Sequence, residues 1–507
     1  MTEHYLDRLA RTINANWDAP ALTDFYLTED GTAQDTSRGN HYTYGEMYME
    51  MLRLGDLFKQ LGLQKGDHIA ICGTNSAHWA IAYLAIAAHQ GVVVTVLHSQ
   101  SPEDIARQID FSDAKALFTD EELWKELEVQ SLPQIEHVIS LDSWGFLYGE
   151  AVQVANIDIR IGQQSIYFEH RNIEDIAMIC FTSGSAGVPK GVMLSNRNIA
   201  NNVCKANCPI TSNKNYLSLV PYAHTGGVIG ELLSNLEWAR CIHILKGTSY
   251  FKDIKNAYDL ISPYMIGCSP DLFRLVYMHK QTGDILLDNT CDLISMGGAK
   301  LDGTIEQNIM SSGIPLMMVY GQTETGSTIS LTPYGQHRIA SSGKVVEGMT
   351  ARIAENGEIL VKGDNVMLGY YKNPEATAKK IDKDGWLHTG DRGYLDEDGY
   401  LYVEGRLEQD MIVLPNGENI HPDNIESKIN ALEEVKESIV LAREGKLIAI
   451  VVISNELSAD SRKALRLSIL RSVNVQLPFY AQLYDIEWSE EPLARTSKQT
   501  LKRYLYK

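Results

Sequence analysis

Stretches of strand length alternate with stretches of helix length early in this 507-residue chain, and this alternation restricts the fold more than any other feature. A buried strand is predicted for KGDHIAICG and a helix for NSAHWAIAYLAIAAHQG, which begins after Asn75 or Ser76 and ends at Gly91. The pattern continues with a strand in VVVTVL, a helix in SPEDIARQIDFSDA, capped by Ser101, and a strand in KALFTD. Short links between these elements favour right-handed crossovers and mainly parallel sheets covered by helices.

The pattern changes after residue 340. Short β-rich pieces in GEILVKG, GWLHTGDRGYLDEDGYLYVEGR and DMIVLPNGENI are separated by Gly, Asp and Asn, which predicts hairpins. Helix and strand alternate again from HPDNIESKINALEE to the last residues. Because 507 residues exceed what one core supports, we predict a large domain over residues 1–405, a hinge at 406–410 and a small domain over 411–507.

Charge and apolar content restrict the partners. The chain has 45 Lys and Arg against 65 Asp and Glu, a net charge of −20, which argues against nucleic acid and anionic lipid surfaces as partners. Its start, MTEHYLDRLARTINANW, has no signal-peptide pattern, and the longest apolar run, Trp79–Ala88, is shorter than the ~20 residues of a membrane-spanning helix. Seven cysteines without a CxxC pair indicate free thiols rather than a zinc site, so a cytoplasmic protein is expected.

A glycine-rich loop, FTSGSAGVPKG, follows the apolar run IAMIC. Its glycines allow backbone N–H groups to approach one anion closely, while Thr182, Ser183 and Ser185 add hydroxyl donors and Lys190 adds a positive charge. The loop matches neither the Walker A pattern nor GxGxxG. Taken alone it is better explained as a flexible surface turn, although its composition suits a triphosphate.

Six segments in order resemble the motifs of the adenylate-forming superfamily, which includes acyl-CoA synthetases, peptide-synthetase adenylation domains and beetle luciferases. They are TSGSAGVPKGVMLSNRN, VPYAHTGG, SMGGAK, YGQTET, HTGD and EGR. VPYAHTGG and IVLPNGENIHP look most like the long-chain fatty acyl-CoA synthetases. The resemblance implies an α/β fold: a large N-terminal domain of mixed, mainly parallel sheets with helices and a β-rich subdomain, and a small mobile α+β C-terminal domain.

The resemblance also implies a reaction and its residues. A carboxylic acid, expected to be a fatty acid, would be activated by ATP through an acyl-adenylate and transferred to CoA, with Mg²⁺ as cofactor. The catalytic roles fall on Lys190, Glu324 and Lys498, with Glu324 as the metal ligand. The residues implied in ATP binding are Thr182, Ser183, Gly184, Ser185, Gly187, Lys190, Gly298, Ala299, Tyr320, Gly321, Gln322, Thr323, Asp391 and Arg406. The acyl pocket would be lined by Tyr222, His224, Gly226 and Gly297, and the CoA tunnel by Gly417 and Asn419.

Individual roles follow from side-chain chemistry within that resemblance. Tyr320 would stack on adenine, Thr323 would donate to the α-phosphate, and Asp391 with Arg406 would bind the ribose. Each residue alone has an ordinary alternative: a core tyrosine, a turn aspartate or a surface ion pair. His224 is equally explained as a gate of the acyl site or as a core histidine.

Four positions depart from the superfamily pattern. Ala186 and Asn196 replace a threonine and a histidine, and one extra residue leaves the hinge at either Glu408 or Gln409. At the C-terminus the usual lysine position falls on Thr500, so Lys498 serves only if the loop shifts by two residues.

These departures leave two other functions open: transfer to the pantetheine arm of a carrier protein, and a non-catalytic member that binds nucleotide or acyl chain. Aryl acids stay open beside fatty acids, and a homodimer is possible.

Overall fold

The computed structural model describes most of the chain, namely residues 3–29, 32–35, 37–127, 132–151, 166, 168–169, 172–182, 190–203, 214–246, 251–268, 293–298, 301, 303–311, 313, 315–407, 412–413, 419–420, 422–443, 446–453, 458–477, 481–495, 501 and 503–506.

The strands in chain order are β1 Pro20–Phe25, β2 His41–Thr43, β3 His68–Cys72, β4 Val92–Thr95, β5 Ala116–Thr119, β6 His137–Ser140, β7 Phe146–Tyr148, β8 Ile176–Thr182, β9 Lys190–Ser195, β10 Asn215–Ser218, β11 Cys241–Leu245, β12 Met265–Cys268, β13 Leu293–Gly297, β14 Leu316–Tyr320, β15 Ser330–Leu331, β16 Lys344–Val345, β17 Met349–Ile353, β18 Glu358–Gly363, β19 Gly369–Tyr370, β20 Leu387–Leu395, β21 Leu401–Arg406, β22 Ile412–Val413, β23 Asn419–Ile420, β24 Val435–Arg443, β25 Lys446–Ile453 and β26 Leu483–Ser489.

The α-helices are α1 Tyr5–Ala15, α2 Tyr44–Gln60, α3 Ala77–Ala88, α4 Pro102–Phe111, α5 Glu121–Glu126, α6 Asn196–Val203, α7 Ser234–Glu237, α8 Phe251–Ile261, α9 Gly303–Ser311, α10 Pro374–Lys380, α11 Pro422–Asn430 and α12 Ala459–Asn474. A π-helix covers Gly226–Leu233, and 3₁₀ turns cover Thr323–Thr325 and Arg503–Leu505.

The predicted alternation of strands and helices is confirmed in β3, α3, β4, α4 and β5. Of the two candidate caps of α3, the structure selects Ser76, whose side chain accepts a hydrogen bond from the Trp79 N–H. Ser101 caps α4 in the same way, and Pro102 occupies its first turn, where a missing N–H costs nothing. Local capping chemistry therefore sets where these helices begin.

Two large sheets carry the first part of the chain. One has nine strands in the order β16-β15-β14-β13-β12-β10-β11-β1-β2, and the other has eight in the order β19-β9-β8-β4-β3-β5-β6-β7. The central strands of both are parallel, whereas edge strands such as β2, β7, β15 and β16 are antiparallel. A four-stranded sheet, β17-β18-β20-β21, and smaller sheets β22-β23 and β24-β25-β26 follow. This confirms the predicted change after residue 340 to short β-rich pieces.

Helix α3 is buried along its whole length. Residues Ala77–Ala87 are all buried, and they share one core cluster with residues of the nine-stranded sheet, such as Leu22 and Ile242, and of the eight-stranded sheet, such as Ile71 and Met178. A helix that is apolar on every side is stable in water only when it is covered on every side. Helix α3 therefore lies between the two large sheets.

The chain divides into two compact units. The first comprises Met1–Ile353, Leu360–Thr389 and Leu395–Tyr402, and the second comprises Ala354–Ile359, Gly390–Tyr394 and Val403–Lys507. The second unit has its own core, in which α11 and α12 pack on strands β24–β26. The predicted hinge residues Glu408 and Gln409 lie outside the described residues, so the boundary at 406–410 stays a prediction. In the part of the chain that the structure describes, no helix is long and apolar enough to cross a membrane.

Candidate active site

Two parallel strands of the nine-stranded sheet end beside each other with predicted site residues. Gly297, the last residue of β13, pairs with Val319 of β14, and Tyr320 follows as the last residue of β14. A methyl group on Gly297 would lie 3.0 Å from the Val319 carbonyl oxygen, whereas Gly298 is exposed and has a φ of 90°. Ligands of open α/β sheets bind at the carboxyl ends of the strands, so this edge is a candidate binding site.

The turn after Tyr320 is tightly built. A methyl group on Gly321 would fall 1.9 Å from the Ser327 carbonyl oxygen, so only glycine fits there. The Gln322 N–H donates to the Thr325 hydroxyl at 3.1 Å, and that hydroxyl donates back to the Gln322 carbonyl at 3.0 Å. These contacts hold the 3₁₀ turn that contains Thr323 and Glu324.

Glu324 shares one aromatic side chain with Lys190. The Tyr370 hydroxyl donates a hydrogen bond of 2.8 Å to Oε1 of Glu324, and Nζ of Lys190 lies 5.1 Å from the centroid of the same ring. A tyrosine ring attracts a cation over its face. Because Tyr370 is only 5% exposed, it holds a carboxylate and an ammonium at fixed places.

Backbone hydrogen bonds of the segment 367–371 explain how residues so far apart in sequence meet. The Met367 N–H donates to the carbonyl oxygen of Glu324 at 2.9 Å, and the Tyr371 N–H donates to the carbonyl oxygen of Gly191 at 2.7 Å. Strand β19, which contains Tyr370, pairs antiparallel with β9, which begins at Lys190. The segment therefore connects the turn of one large sheet to a strand of the other.

The glycine-rich loop begins where β8 ends, as the sequence predicted. Thr182 is the last residue of β8 and pairs directly with Lys190, the first residue of the antiparallel strand β9. The chain thus reverses direction between them. The loop residues themselves lie outside the described residues, including Ser183, Gly184, Ser185 and Gly187.

Asp391 and Arg406 belong to the second unit. Nε of Arg406 lies 3.0 Å from Oδ1 of Asp391, and the aspartate side chain is 9% exposed against 47% for the arginine. A carboxylate has about four acceptor positions, so an aspartate held in this way keeps capacity for further donors. Gly390, which precedes Asp391 within β20, has a φ of 73°, which favours glycine.

Of the predicted acyl residues, Tyr222 and His224 come just before the π-helix Gly226–Leu233 and Gly226 begins it, whereas Gly297 lies at the end of β13. Tyr222 is fully buried, with its ring 5.3 Å from that of Trp79, so its side chain is part of the core. His224 is partly exposed and Gly226 is exposed. The lining of a pocket by Tyr222 and His224 stays a prediction.

Comparison with known proteins identifies the family. A family model for AMP-binding enzymes matches residues 9–371, and a model for the C-terminal domain of AMP-binding enzymes matches residues 409–506. The chain belongs to the AMP-binding enzyme family. This membership confirms the predicted superfamily and its α/β fold with a large N-terminal and a small C-terminal domain.

Individual relatives of this AMP-binding enzyme differ in the acid that their names give. A 2-succinylbenzoate–CoA ligase of Oceanobacillus iheyensis is 30% identical over 81% of this chain and 83% of its own length. A long-chain-fatty-acid–CoA ligase of Mycobacterium bovis is 26% identical over 75% of this chain and 72% of its own length. The long-chain branch, which the sequence motifs favoured, therefore matches at the lower identity of the two.

A solved structure shares the fold of this AMP-binding enzyme. The o-succinylbenzoate-CoA synthetase of Bacillus subtilis, determined with its acyl-adenylate intermediate, superposes with a TM-score of 0.79. The alignment covers 99% of this chain and 97% of the other at 23% sequence identity.

Several predicted residues of the AMP-binding enzyme cannot be placed. Ala299, Glu408, Gln409, Gly417, Lys498 and the competing Thr500 lie outside the described residues, and for Asn419 only its backbone in β23 is described. The roles of these residues in adenine binding, the hinge, the CoA tunnel and catalysis stay predictions.

One departure from the superfamily motif has a structural role here. Asn196, in the place of the usual histidine, is the first residue of α6 and is fully buried. Its side-chain amide donates to the carbonyl oxygens of Asn172 at 3.3 Å and Asp175 at 3.4 Å. Asn196 therefore holds the chain that leads into β8, the strand before the glycine-rich loop.

The residues around Glu324 fit a magnesium ion that arrives with the nucleotide. Within the described residues no group of three or more His, Cys, Asp or Glu side chains is placed to hold a metal. Mg²⁺ bound with a nucleotide usually takes one or two protein carboxylates and completes its shell with phosphate oxygens and water. Glu324 is partly exposed, and a carboxylate is a ligand type that Mg²⁺ accepts, but its role as the metal ligand stays a prediction.

Sequence reasoning missed Tyr370. It stands in NVMLGYY, which has no motif that indicates a site, and 46 residues separate it from Glu324. Its position is set by the pairing of β19 with β9, which no local pattern encodes. The only local signal in this segment is the pair Tyr370 and Tyr371 directly after Gly369.

Proposed function

We propose that this AMP-binding enzyme is an acid–CoA ligase that works through an acyl-adenylate. An oxygen of the substrate carboxylate attacks the α-phosphorus of ATP, the bond from that phosphorus to the bridging oxygen breaks, and pyrophosphate leaves. The thiolate of CoA then attacks the acyl carbon, and AMP leaves. Both relatives described above, which are 30% and 26% identical to this chain, are named as CoA ligases. Their names support this proposal.

The observation that carries the proposal is the arrangement of Glu324, Tyr370 and Lys190. The first step brings two anions together. Its main requirements are therefore positive groups that neutralise their charge and alignment of the reacting atoms. Lys190 supplies a positive charge at the end of the glycine-rich loop, and Glu324 supplies a metal ligand. Tyr370 fixes both, because its hydroxyl and its ring contact one each.

The other residues bind and orient the nucleotide in this proposal. Bound Mg²⁺ would supply positive charge to the phosphates. Thr182 and the loop after it hold the phosphates, Thr323 donates to the α-phosphate, and Tyr320 stacks on adenine. Asp391 and Arg406 bind the ribose hydroxyls. Lys498 completes the neutralisation of charge during adenylation, and Gly417 and Asn419 line the path of the CoA arm.

We propose a carboxylic acid as the substrate, either a monocarboxylic fatty acid, as the sequence motifs favoured, or an aromatic acid. The name of the relative that is 30% identical supports an aromatic acid, because 2-succinylbenzoate carries an aryl ring. The name of the relative that is 26% identical supports a long-chain fatty acid.

Pyrophosphate release tests the function. The protein is incubated with Mg-ATP and a panel of fatty, benzoic and succinylbenzoic acids, with and without CoA. Release that requires an acid and increases with CoA supports the ligase, and the preferred acid decides between the two classes. A response only to a holo-carrier protein would replace CoA as acceptor. ATP binding by calorimetry without release for any acid would make the protein a non-catalytic binder and overturn the proposal.

A further inference from the structure

A buried carboxyl group that the proposed mechanism does not use lies in the π-helix Gly226–Leu233. Glu231 is 5% exposed and projects from this helix toward the end of β10. π-Helices are rare and are frequently found at functional sites. The helix directly follows Pro221–Thr225, the stretch that contains the predicted acyl residues Tyr222 and His224.

Three parts of the fold meet at the carboxyl group of Glu231. Its Oε2 accepts a hydrogen bond from the Ser218 hydroxyl at 2.7 Å and one from the Val220 N–H at 3.2 Å. A methyl group on Gly267 of β12 would lie 2.9 Å from Oε1 of Glu231 and 2.4 Å from the Tyr216 hydroxyl. Glu231 therefore connects β10, the stretch after it and β12.

Neutral groups hold the neighbouring residues Val220–Ala223. The Asn75 amide donates to the Val220 carbonyl at 2.8 Å and accepts from the Tyr222 N–H at 2.8 Å. The Ala223 carbonyl accepts from the Thr95 hydroxyl at 3.1 Å. The stretch Val220–Ala223 is thus held by Asn75 and Thr95 as well as by the carboxyl group of Glu231.

Burial sets the charge of that carboxyl group. Burial raises the pKa of Glu231 to about 7, although the donors Ser218, Tyr216 and the Val220 N–H favour the carboxylate. The groups that face it from β10, the stretch after β10 and β12 are Tyr216, Ser218, Tyr222 and Gly267, and none of these described neighbours is a cation. Each donor binds the carboxylate more strongly than the neutral group, but the cost of burying a charge without a cation is larger, so ionisation favours conformations in which water reaches Glu231.

We infer that Glu231 is a positioning residue for the acid substrate: it fixes the stretch Val220–Gly227 and so sets how tightly the acid binds, without contacting the acid. This inference rests on the proposed ligase function. The stretch is held in its productive position by the neutral carboxyl group, so the affinity for the acid falls as that group ionises. The affinity for Mg-ATP does not depend on Glu231.

Steady-state kinetics of the adenylation step over pH 6–8 test the inference. If only the protonated form positions the stretch, the KM of the acid in the wild type rises about tenfold between pH 6 and pH 8, since the protonated fraction falls by that factor around a pKa of about 7. In Glu231→Gln this KM is expected to be independent of pH. The KM of Mg-ATP is expected to follow the same pH course in both proteins. The acid used as substrate is chosen to be fully ionised over this pH range.

Two further variants separate positioning from general destabilisation. Glu237→Gln removes a partly buried carboxyl, which forms an ion pair with Arg8 and has a pKa that burial also raises, and it should keep the wild-type pH course. Ser218→Ala removes a donor that lowers the pKa of Glu231, so it should move the midpoint of the KM curve to higher pH.

A wild-type pH course in Glu231→Gln, or no shift in Ser218→Ala, would overturn the inference while the ligase function stands. Absence of acid-dependent turnover in the wild type at every pH would instead overturn the proposed function, and the inference with it.

Discussion

At Tyr370 a single hydroxyl connects the proposed metal ligand to the fold, so its removal is informative. Tyr370→Phe keeps the ring under Lys190 and deletes the 2.8 Å hydrogen bond to Glu324. A hydrogen bond to a charged group contributes about 1.5–3 kcal/mol, so we expect the rate of adenylation to fall about 10- to 100-fold. Acid-dependent pyrophosphate exchange measures this rate. The matched control is Tyr371→Phe, whose hydroxyl donates to Asp113 at 2.7 Å; equal losses in both variants would argue against the role of Tyr370.

Glu324 itself provides the second prediction at this scale. Glu324→Gln keeps an oxygen that accepts from Tyr370 but removes a charge from the metal ligand. Charge stabilisation by a bound metal amounts to several kcal/mol, so we expect adenylation to fall by about a hundredfold or more and to require more Mg²⁺. A magnesium titration of pyrophosphate exchange measures both effects, with the exposed Glu103→Gln as control. Unchanged magnesium dependence would remove Glu324 as the ligand.

At the scale of elements, the turn after β14 depends on a glycine. A methyl group on Gly321 would lie 1.9 Å from the Ser327 carbonyl oxygen, so Gly321→Ala must displace the turn that contains Glu324. Overpacking of this kind costs about 1–3 kcal/mol, and we expect ATP affinity to fall with stability. Gly55→Ala is the control, since Gly55 lies in α2 with no atom within 4 Å of an added methyl. That variant should gain up to about 1 kcal/mol. Urea unfolding and calorimetry with ATP measure both quantities, and an unperturbed Gly321→Ala would contradict the prediction.

Elements with local signals could be predicted from the sequence, and those set by distant pairing could not. Helices α3 and α4 were predictable because Ser76 and Ser101 cap them. The glycine-rich loop was predictable because an apolar strand precedes it. The pairing of β19 with β9, which brings Tyr370 to Glu324, depends on contacts across the whole first unit. The π-helix was missed as well, since GGVIGELL resembles any apolar helical stretch.

At the scale of the whole molecule, the class of fold followed from the alternation of elements, but its arrangement did not. Parallel sheets were predicted, whereas the division of the strands between a nine-stranded and an eight-stranded sheet was not, because strand order has no local signature. The division into units is also discontinuous: residues 354–359 and 390–394 belong to the second unit. A sequence pattern can indicate where one domain ends and the next begins. It does not indicate that an earlier segment, such as residues 354–359, packs with a later unit.

The stability of the first unit should depend on pH through Glu231. Its pKa rises from 4.5 to about 7 on folding, so the folded state binds the proton more tightly. The resulting stabilisation is fully present below about pH 4.5 and is lost as pH rises toward 7, with a slope of up to about 1.4 kcal/mol per pH unit. The glutamine of Glu231→Gln does not titrate. The free energy of unfolding of the wild type should therefore fall relative to that of the variant from pH 5 to pH 7. Urea unfolding of both proteins across this range measures the difference, which cancels the contribution of every other titrating group. Parallel pH curves would mean that Glu231 ionises alike in the folded and unfolded chains, in which case its burial does not control its charge.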